Sequence, residues 1–317
     1  ETGSYGRESE NILQLGKSGD WSWLVAAQKS ITGDYSSARH SIPSYDNTEN
    51  ADVKVTKSWG DAAELTLSYS AFSGRYMSKI FNYKNMETTN LLLPSTRMTR
   101  MGMVNARKTE NNISLEFNRK ISDSENNLLG IYRRGSNAVY DEGSNVPNPW
   151  LIELRTQGFF DRYTKQWHPK NTLTGGIEYY QDLVLDYQDL TSNYNDRTMI
   201  SKAVYLQNEW QLDDRLKATG SLRQDWNSSA GKKLSPAIAV EYNPSDKLLY
   251  TLAYTEYFAP PKQLQVFSPK NGNEGLKPEE GKVYEFGASY KPESSLTLKA
   301  SIFHRDAANV IAVDRTV

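Results

Sequence analysis

Along much of this chain apolar side chains fall on every second residue. Ala63, Leu65, Leu67, Tyr69 and Ala71 alternate with Glu64, Thr66, Ser68 and Ser70, and Ile238, Val240 and Tyr242 with Ala239 and Glu241. Tyr284, Phe286, Ala288 and Tyr290 oppose Glu285, Gly287 and Ser289, and Leu296, Leu298, Ala300 and Ile302 oppose Thr297, Lys299 and Ser301. A spacing of two is the side-chain period of an extended strand, so each segment has one apolar face and one small or charged face. Helical spacing is hard to find. The pattern predicts about fourteen strands: Ser4–Leu15, Trp21–Gly33, Asp52–Ser58, Ala62–Ser73, Asn111–Ile121, Asn127–Val139, Trp150–Trp167, Thr172–Tyr187, Thr198–Gln211, Leu216–Trp226, Leu234–Asn243, Leu248–Phe258, Lys282–Lys291 and Leu296–Asp306. Val310–Val313 reads as one more strand-like stretch.

The connections come in two sizes that take turns. Short breaker clusters lie at Gly16–Asp20, Trp59–Asp61, Ser122–Asn126, His168–Asn171, Leu212–Arg215, Pro244–Lys247 and Pro292–Ser295. Longer polar segments separate them, at about Asp34–Glu49, Gly74–Glu110, Tyr140–Pro149, Leu190–Arg197, Ser228–Lys233 and Ala259–Gly281. One end of the sheet is trimmed and the other elaborated. With strands of about ten residues or more, that asymmetry predicts an antiparallel transmembrane β-barrel with short periplasmic turns and long extracellular loops.

Composition narrows the function. No stretch approaches the ~18 consecutive apolar residues of a spanning helix. The 37 basic and 38 acidic side chains give a net charge of −1 without a block of either sign, so nucleic acid is not an expected partner. The absence of cysteine removes disulfides, thiolate metal sites and thiol nucleophiles, and suits an oxidising compartment. The start, Glu1-Thr-Gly-Ser-Tyr-Gly, has neither a basic nor an apolar leader region and reads as a mature or truncated end. Five of the seven tryptophans, Trp21, Trp23, Trp59, Trp167 and Trp210, sit at the short-turn side, where an interfacial aromatic girdle would lie. In a soluble β-sandwich the same residues would be cross-strand packing, but a sandwich does not explain the alternating loop lengths.

Three stretches resemble the β-barrel of TonB-dependent outer-membrane receptors. Ala203-Val-Tyr-Leu-Gln-Asn-Glu-Trp210 through Gly220-Ser-Leu-Arg-Gln-Asp-Trp226 is similar to that family's Tyr-x-Gln-x-Glu-Trp and Gly-x-x-Arg-x-Asp strand pair. Leu234-Ser-Pro236, followed by Tyr254-Thr-Glu-Tyr-Phe-Ala-Pro-Pro261, resembles its Ser-Pro strand and Tyr-x-x-x-Phe-x-x-Pro strand end. Gly272-Asn-Glu-Gly-Leu-Lys-Pro-Glu-Glu280 with Tyr284-Glu-Phe-Gly287 resembles its Leu-Lys-Pro-Glu box. The match is strong over residues 203–306 and looser before. Family barrels have about 22 strands, so residues 1–317 are expected to be part of a receptor barrel, with the N-terminal plug domain, its TonB box and the last strands absent.

The resemblance implies energy-coupled uptake across the bacterial outer membrane, with no catalysis and no resident cofactor or metal. The expected partners are a ferric siderophore or related small ligand, the TonB–ExbB–ExbD system acting through the missing plug, and outer-membrane lipid. Aromatic and basic side chains in or beside the long loops could stack on planar chelates or pair with anionic ones. The candidates are Tyr35, Arg39, His40, Tyr45, Arg75, Tyr76, Lys79, Tyr83, Tyr140, Tyr187 and Tyr194. Haem-binding members often place a histidine in the loop before the Leu-Lys-Pro-Glu box; Lys262–Leu276 has none, which leaves a siderophore or cobalamin ahead of haem. The Leu-Lys-Pro-Glu box itself reads as setting loop geometry. A passive porin shares the barrel but not the three motifs, and a soluble all-β carbohydrate-active enzyme needs two converging carboxylates in a packed interior.

Overall fold

A computed structural model describes residues 2–3, 6–32, 46–80, 102–141, 150–188, 193–268 and 272–312; at 2–3, 46, 76–80, 102–106, 140–141, 150 and 194 only the course of the backbone is described. The strands are β1 (Thr2–Gly3), β2 (Arg7–Ser18), β3 (Trp21–Thr32), β4 (Asp46–Trp59), β5 (Ala63–Ile80), β6 (Gly102–Ser122), β7 (Glu125–Asp141), β8 (Trp150–His168), β9 (Asn171–Gln188), β10 (Asn193–Gln211), β11 (Leu216–Asn227), β12 (Gly231–Ser245), β13 (Leu248–Ala259), β14 (Glu279–Glu293) and β15 (Leu296–Ala308). They form a single antiparallel sheet in sequence order, each strand paired to the next. Apart from the two-residue β1, the fourteen strands are those read from the alternation. One short helix, α1 (Gln263–Phe267), interrupts the β13–β14 connection.

One end of the sheet carries tight connections. At β2–β3 and at β4–β5, Gly19 and Gly60 adopt φ of 56° and 55°, a left-handed conformation that a side chain would disfavour. In the β6–β7 turn, Asp123 bonds Lys120 at 2.6 Å, and this hydrogen bond and charge hold its carboxyl below the usual carboxylate range. Trp21, Trp59, Trp167 and Trp210 are exposed beside these turns, as the girdle reading expected.

The other end departs from the expectation in several places: β4 opens at Asp46 and β10 at Asn193, each within a segment assigned above to a loop. β5 and β6 run on to Ile80 and back from Gly102, through residues assigned above to a loop. The backbone ladder continues there without a side-chain alternation to mark it, since hydrogen bonding between strands needs no side-chain pattern. Ser228–Lys233 is no long loop: β11 ends at Asn227 and β12 starts at Gly231. Asn227 closes that turn, its Oδ1 accepting from the N–H groups of Ser229 and Ala230 at 3.0 Å each. Finally, residues 309–312 are irregular, so Val310 does not open a further strand; Val313 lies outside the described residues.

The faces sort by polarity. Leu206, Leu222, Ile238 and Leu252 are each more than half exposed on one face. The opposite face carries Glu178, Arg223 and Asp225. An apolar face turned to solvent and a charged face turned inward is the inverse of a soluble sandwich, and fits a lipid-facing wall around a polar lumen.

Candidate ligand-binding site

The polar face is organised in rungs that cross adjacent strands. Tyr132, Gly158, Tyr180, Ser201 and Asn227 are successive register partners from β7 to β11. One rung toward the short turns come Gly130, Phe160, Glu178, Ala203 and Asp225, and the next holds Arg162, Gly176, Tyr205 and Arg223. Glycine alternates with aromatic rings because the rings lie flat on the neighbouring strand. A Cβ on Gly130 would stand 2.4 Å from the Phe160 ring, and one on Gly176 would stand 2.5 Å from the Tyr205 hydroxyl. Small residues thus bring a layer of rings down onto the wall.

Charges are threaded between the rings. The Arg134 guanidinium lies over the Tyr132 ring, 5.1 Å from its centre. Arg223 donates to Glu178 at 2.7 Å and to Asp225 at 3.0 Å, and sits 5.8 Å over the Tyr205 ring. Thr156 donates to Asp182 at 2.6 Å. A cavity of about 850 Å³ opens on this face, bounded by Tyr132, Arg134, Phe160, Glu178 and Tyr180 and by the small polar Ser68, Ser70 and Asn112. Tyr180 also borders a second cavity of about 280 Å³, lined by Ser201, Arg223, Asp225, Ser235 and Tyr257. The buried Ser235 hydroxyl there has no hydrogen-bond partner among the described residues.

The β13–β14 connection folds over the outer end of this wall. α1 packs against β9, four strands away from β13. Val266 on α1 is buried, as are Pro261, Val184, Tyr187 and Met199. Tyr187 reaches this cluster through a bulge: Val184 pairs with Leu154 but Asp186 pairs with Glu153, so the extra residue Leu185 reverses the alternation and turns Tyr187 to the face of Val184. Two carboxylates at the end of the Leu-Lys-Pro-Glu stretch tie the start of β14 to nearby strands. Glu279 opens β14 and accepts from the Tyr257 hydroxyl at 2.8 Å and from Arg305, while Glu280 pairs with Lys233 at 2.9 Å.

Of the sequence-chosen candidates, Tyr35, Arg39, His40, Tyr45 and Tyr83 lie outside the described residues. Tyr76 and Lys79 continue β5, Tyr140 lies on β7 and Tyr194 on β10, each on a strand end with only its backbone described. Arg75 is likewise on β5, not in a loop, and shares the alternation of the exposed Leu67 and Tyr69, so it points away from the polar wall. Tyr187 is a buried strand residue. The wall residues Tyr132, Arg134, Phe160, Tyr180, Tyr205 and Arg223 lie within strands and so fall outside a set drawn from the loops. The readable signal was glycine at 130, 158 and 176 within strands otherwise rich in aromatic residues. Among the described residues no group of three or more potential metal ligands occurs, and no helix is long and apolar enough to cross a membrane, which says nothing about a barrel.

Residues 4–317 match the family model described as "TonB dependent receptor-like, beta-barrel". The chain belongs to the TonB-dependent receptors. These are outer-membrane receptors and transporters, not enzymes. The sequence is 32% identical over 117 residues to the vitamin B12 transporter BtuB of Photobacterium profundum, an alignment covering 37% of this chain and 19% of that protein. Among solved structures, the fold superposes on the FrpB iron transporter of Neisseria meningitidis with a TM-score of 0.77 at 16% identity, covering 99% of this chain and 55% of that one. The siderophore receptor PirA of Acinetobacter baumannii gives 0.76 at 14% identity, covering 95% and 50%. The chain therefore spans about half the length of these solved receptors, and its aligned part about a fifth of the curated relative.

Proposed function

We propose that this chain forms part of the barrel wall of a TonB-dependent receptor in the bacterial outer membrane, and that the receptor takes up an iron–siderophore complex. In this reading a plug domain fills the barrel, and the TonB–ExbB–ExbD system works through it. The observation that carries the reading is the ring-and-guanidinium wall. Tyr132 offers a ring beside the Arg134 guanidinium, which makes no ion pair among the described residues, while Arg223 over the Tyr205 ring is already paired with Glu178 and Asp225; a ring beside an open cation suits an anionic chelate with aromatic arms. The loop-side strand ends around Tyr76, Lys79, Tyr140 and Tyr194 would contribute first contacts above it. Cobalamin is the second reading, favoured by the sequence match to a vitamin B12 transporter.

Uptake of iron-55-labelled siderophores and of labelled cobalamin by cells carrying the full-length receptor separates the two. Arg134→Ala and Tyr132→Ala are each expected to weaken binding of the transported ligand by about 1–2 kcal/mol, roughly five- to thirty-fold, from loss of the cation–π pair and of one stacking face. Saturable cobalamin uptake with no iron uptake would replace the first reading by the second. Energy-independent passage of both would return the porin.

A further inference from the structure

The ladder between β12 and β13 ends early. Its last pair toward the long loops is Ala237 with Thr255, whereas β12 stays paired with β11 as far as Gly231 and β13 with β14 as far as Ala259. Pro236 follows the last pair and has no N–H to carry a ladder on. Between the two strands opens the smaller cavity described above, about 280 Å³ in volume, which shares Tyr180 with the larger one. Where the strands part, both of their faces reach the gap: Tyr257 lines it together with Glu256 and Phe258, its neighbours of the opposite alternation.

The gap is polar and short of positive charge. Arg223, Asp225 and Glu256 are the charged side chains that line it, and Arg223 is shared between Asp225 and Glu178. Lys233 is bonded to Glu280 at 2.9 Å and stands 3.9 Å from Glu256, whose other oxygen accepts from the Tyr254 hydroxyl at 2.6 Å. Glu178, Asp225, Glu256 and Glu280 thus share two cations, Arg223 and Lys233, among the described residues. Ser235 also lines the gap at 9% exposure, and its hydroxyl is the one left without a partner. A buried hydroxyl left unpaired carries a cost that a bound donor removes. An ammonium group brings one positive charge and three N–H donors to these carboxylates and this oxygen.

We propose that this gap is a subsite for an ammonium group on the transported ligand, so that the ligand is an iron chelate carrying a primary amine on a flexible arm. The inference rests on the siderophore reading above and narrows it. The anionic, aromatic end of the chelate lies against Tyr132 and Arg134, and the arm passes Tyr180 and enters between β12 and β13, where Glu256, Asp225 and the Ser235 hydroxyl accept its N–H groups. Tyr180 on β9 stands three strands from Ser235 on β12, about 14 Å at the usual ~4.8 Å spacing, a distance that a chelate with an aminoalkyl arm can bridge. An acetylated arm leaves the excess carboxylate charge uncompensated, which is the basis of discrimination.

The test uses the full-length receptor and two iron complexes of one tetralysine scaffold. Three of the lysine side chains carry catechols that bind the metal, and the fourth ends in an amine that is either free or acetylated. Quenching of tryptophan fluorescence gives both affinities. The wild type is expected to prefer the free amine about ten-fold, the worth of a charge-assisted hydrogen bond. Glu256→Gln should bring that preference close to one, and Ser235→Ala should lower it about three-fold. Arg134→Ala should weaken both complexes alike and leave the preference in place. Ser235→Ala, a change of one buried atom, carries the comparison if Glu256→Gln loses heat-modifiable mobility. Equal binding of the two complexes by the wild type, as when a basic side chain from elsewhere in the receptor fills the gap, overturns the subsite and leaves the siderophore reading standing. A preference that survives both Glu256→Gln and Ser235→Ala does the same. Binding of neither complex sinks the subsite and the siderophore reading together.

Discussion

Leu206→Arg in the full-length receptor is expected to lower its stability by about 2–4 kcal/mol, the cost of an arginine near the bilayer midplane of a barrel. Gln207→Arg, one residue on, is expected to change it by less than about 1 kcal/mol, within the range of a well-solvated surface substitution. Leu206 lies four residues along β10 from the exposed Trp210, about 13 Å of strand and so about half the ~25 Å apolar height of such a barrel, and is 52% exposed beside the equally exposed Leu222. The Gln207 side chain points to the other face and donates to Glu209 at 3.2 Å, where a guanidinium would find a carboxylate and water. Denaturant unfolding in lipid vesicles, followed by tryptophan fluorescence, measures both. Equal losses would mean that lipid does not lie against the Leu206 face. The contrast would then have come from packing, as in the sandwich that the loop pattern argued against.

The alternation that makes this contrast possible is also why the strands were legible. A strand with lipid on one side and water on the other must alternate, so Ala63–Ala71 and Leu296–Ile302 declare themselves. Where the outward face turns polar, as at the exposed Arg75 and at Arg107 opposite it, nothing forces alternation, and β5 and β6 run past the ends that alternation predicts. Ser228–Lys233 hides a tight turn for the converse reason. Its serines and lysines look like loop, but the carboxamide of Asn227 does the work of several turn residues by accepting two backbone N–H groups.

The wall was less legible than the fold, because its chemistry depends on register. Tyr132 and Tyr180 lie far apart in sequence and meet only because Gly158 stands between them. Nothing local in Arg223 shows that Glu178, two strands away, will take its charge. A bulge at Leu185, invisible in composition, decides that Tyr187 joins the Val184 cluster and not the lipid face.

The 317-residue chain expressed by itself is expected to show no heat-modifiable gel mobility as a monomer and to be degraded by protease, whereas the full-length receptor should show the shift and resist. Among the described residues β15 pairs with β14 alone, and every residue from Leu296 to Ala308 is exposed. About half of the backbone N–H and C=O groups of such an antiparallel edge point away from the sheet, roughly six of each. Each costs several kcal/mol when left unpaired in hydrocarbon. Their sum exceeds the ~5–15 kcal/mol net stability of a typical domain, and Leu298, Ile302 and Phe303 beside them add apolar surface that invites aggregation in water. A compact, faster-migrating unboiled band at monomer mass would overturn the expectation and require β15 to find a partner across the sheet. A band at twice that mass would mean that two copies satisfy each other's edges, which leaves the monomer as open as its topology implies.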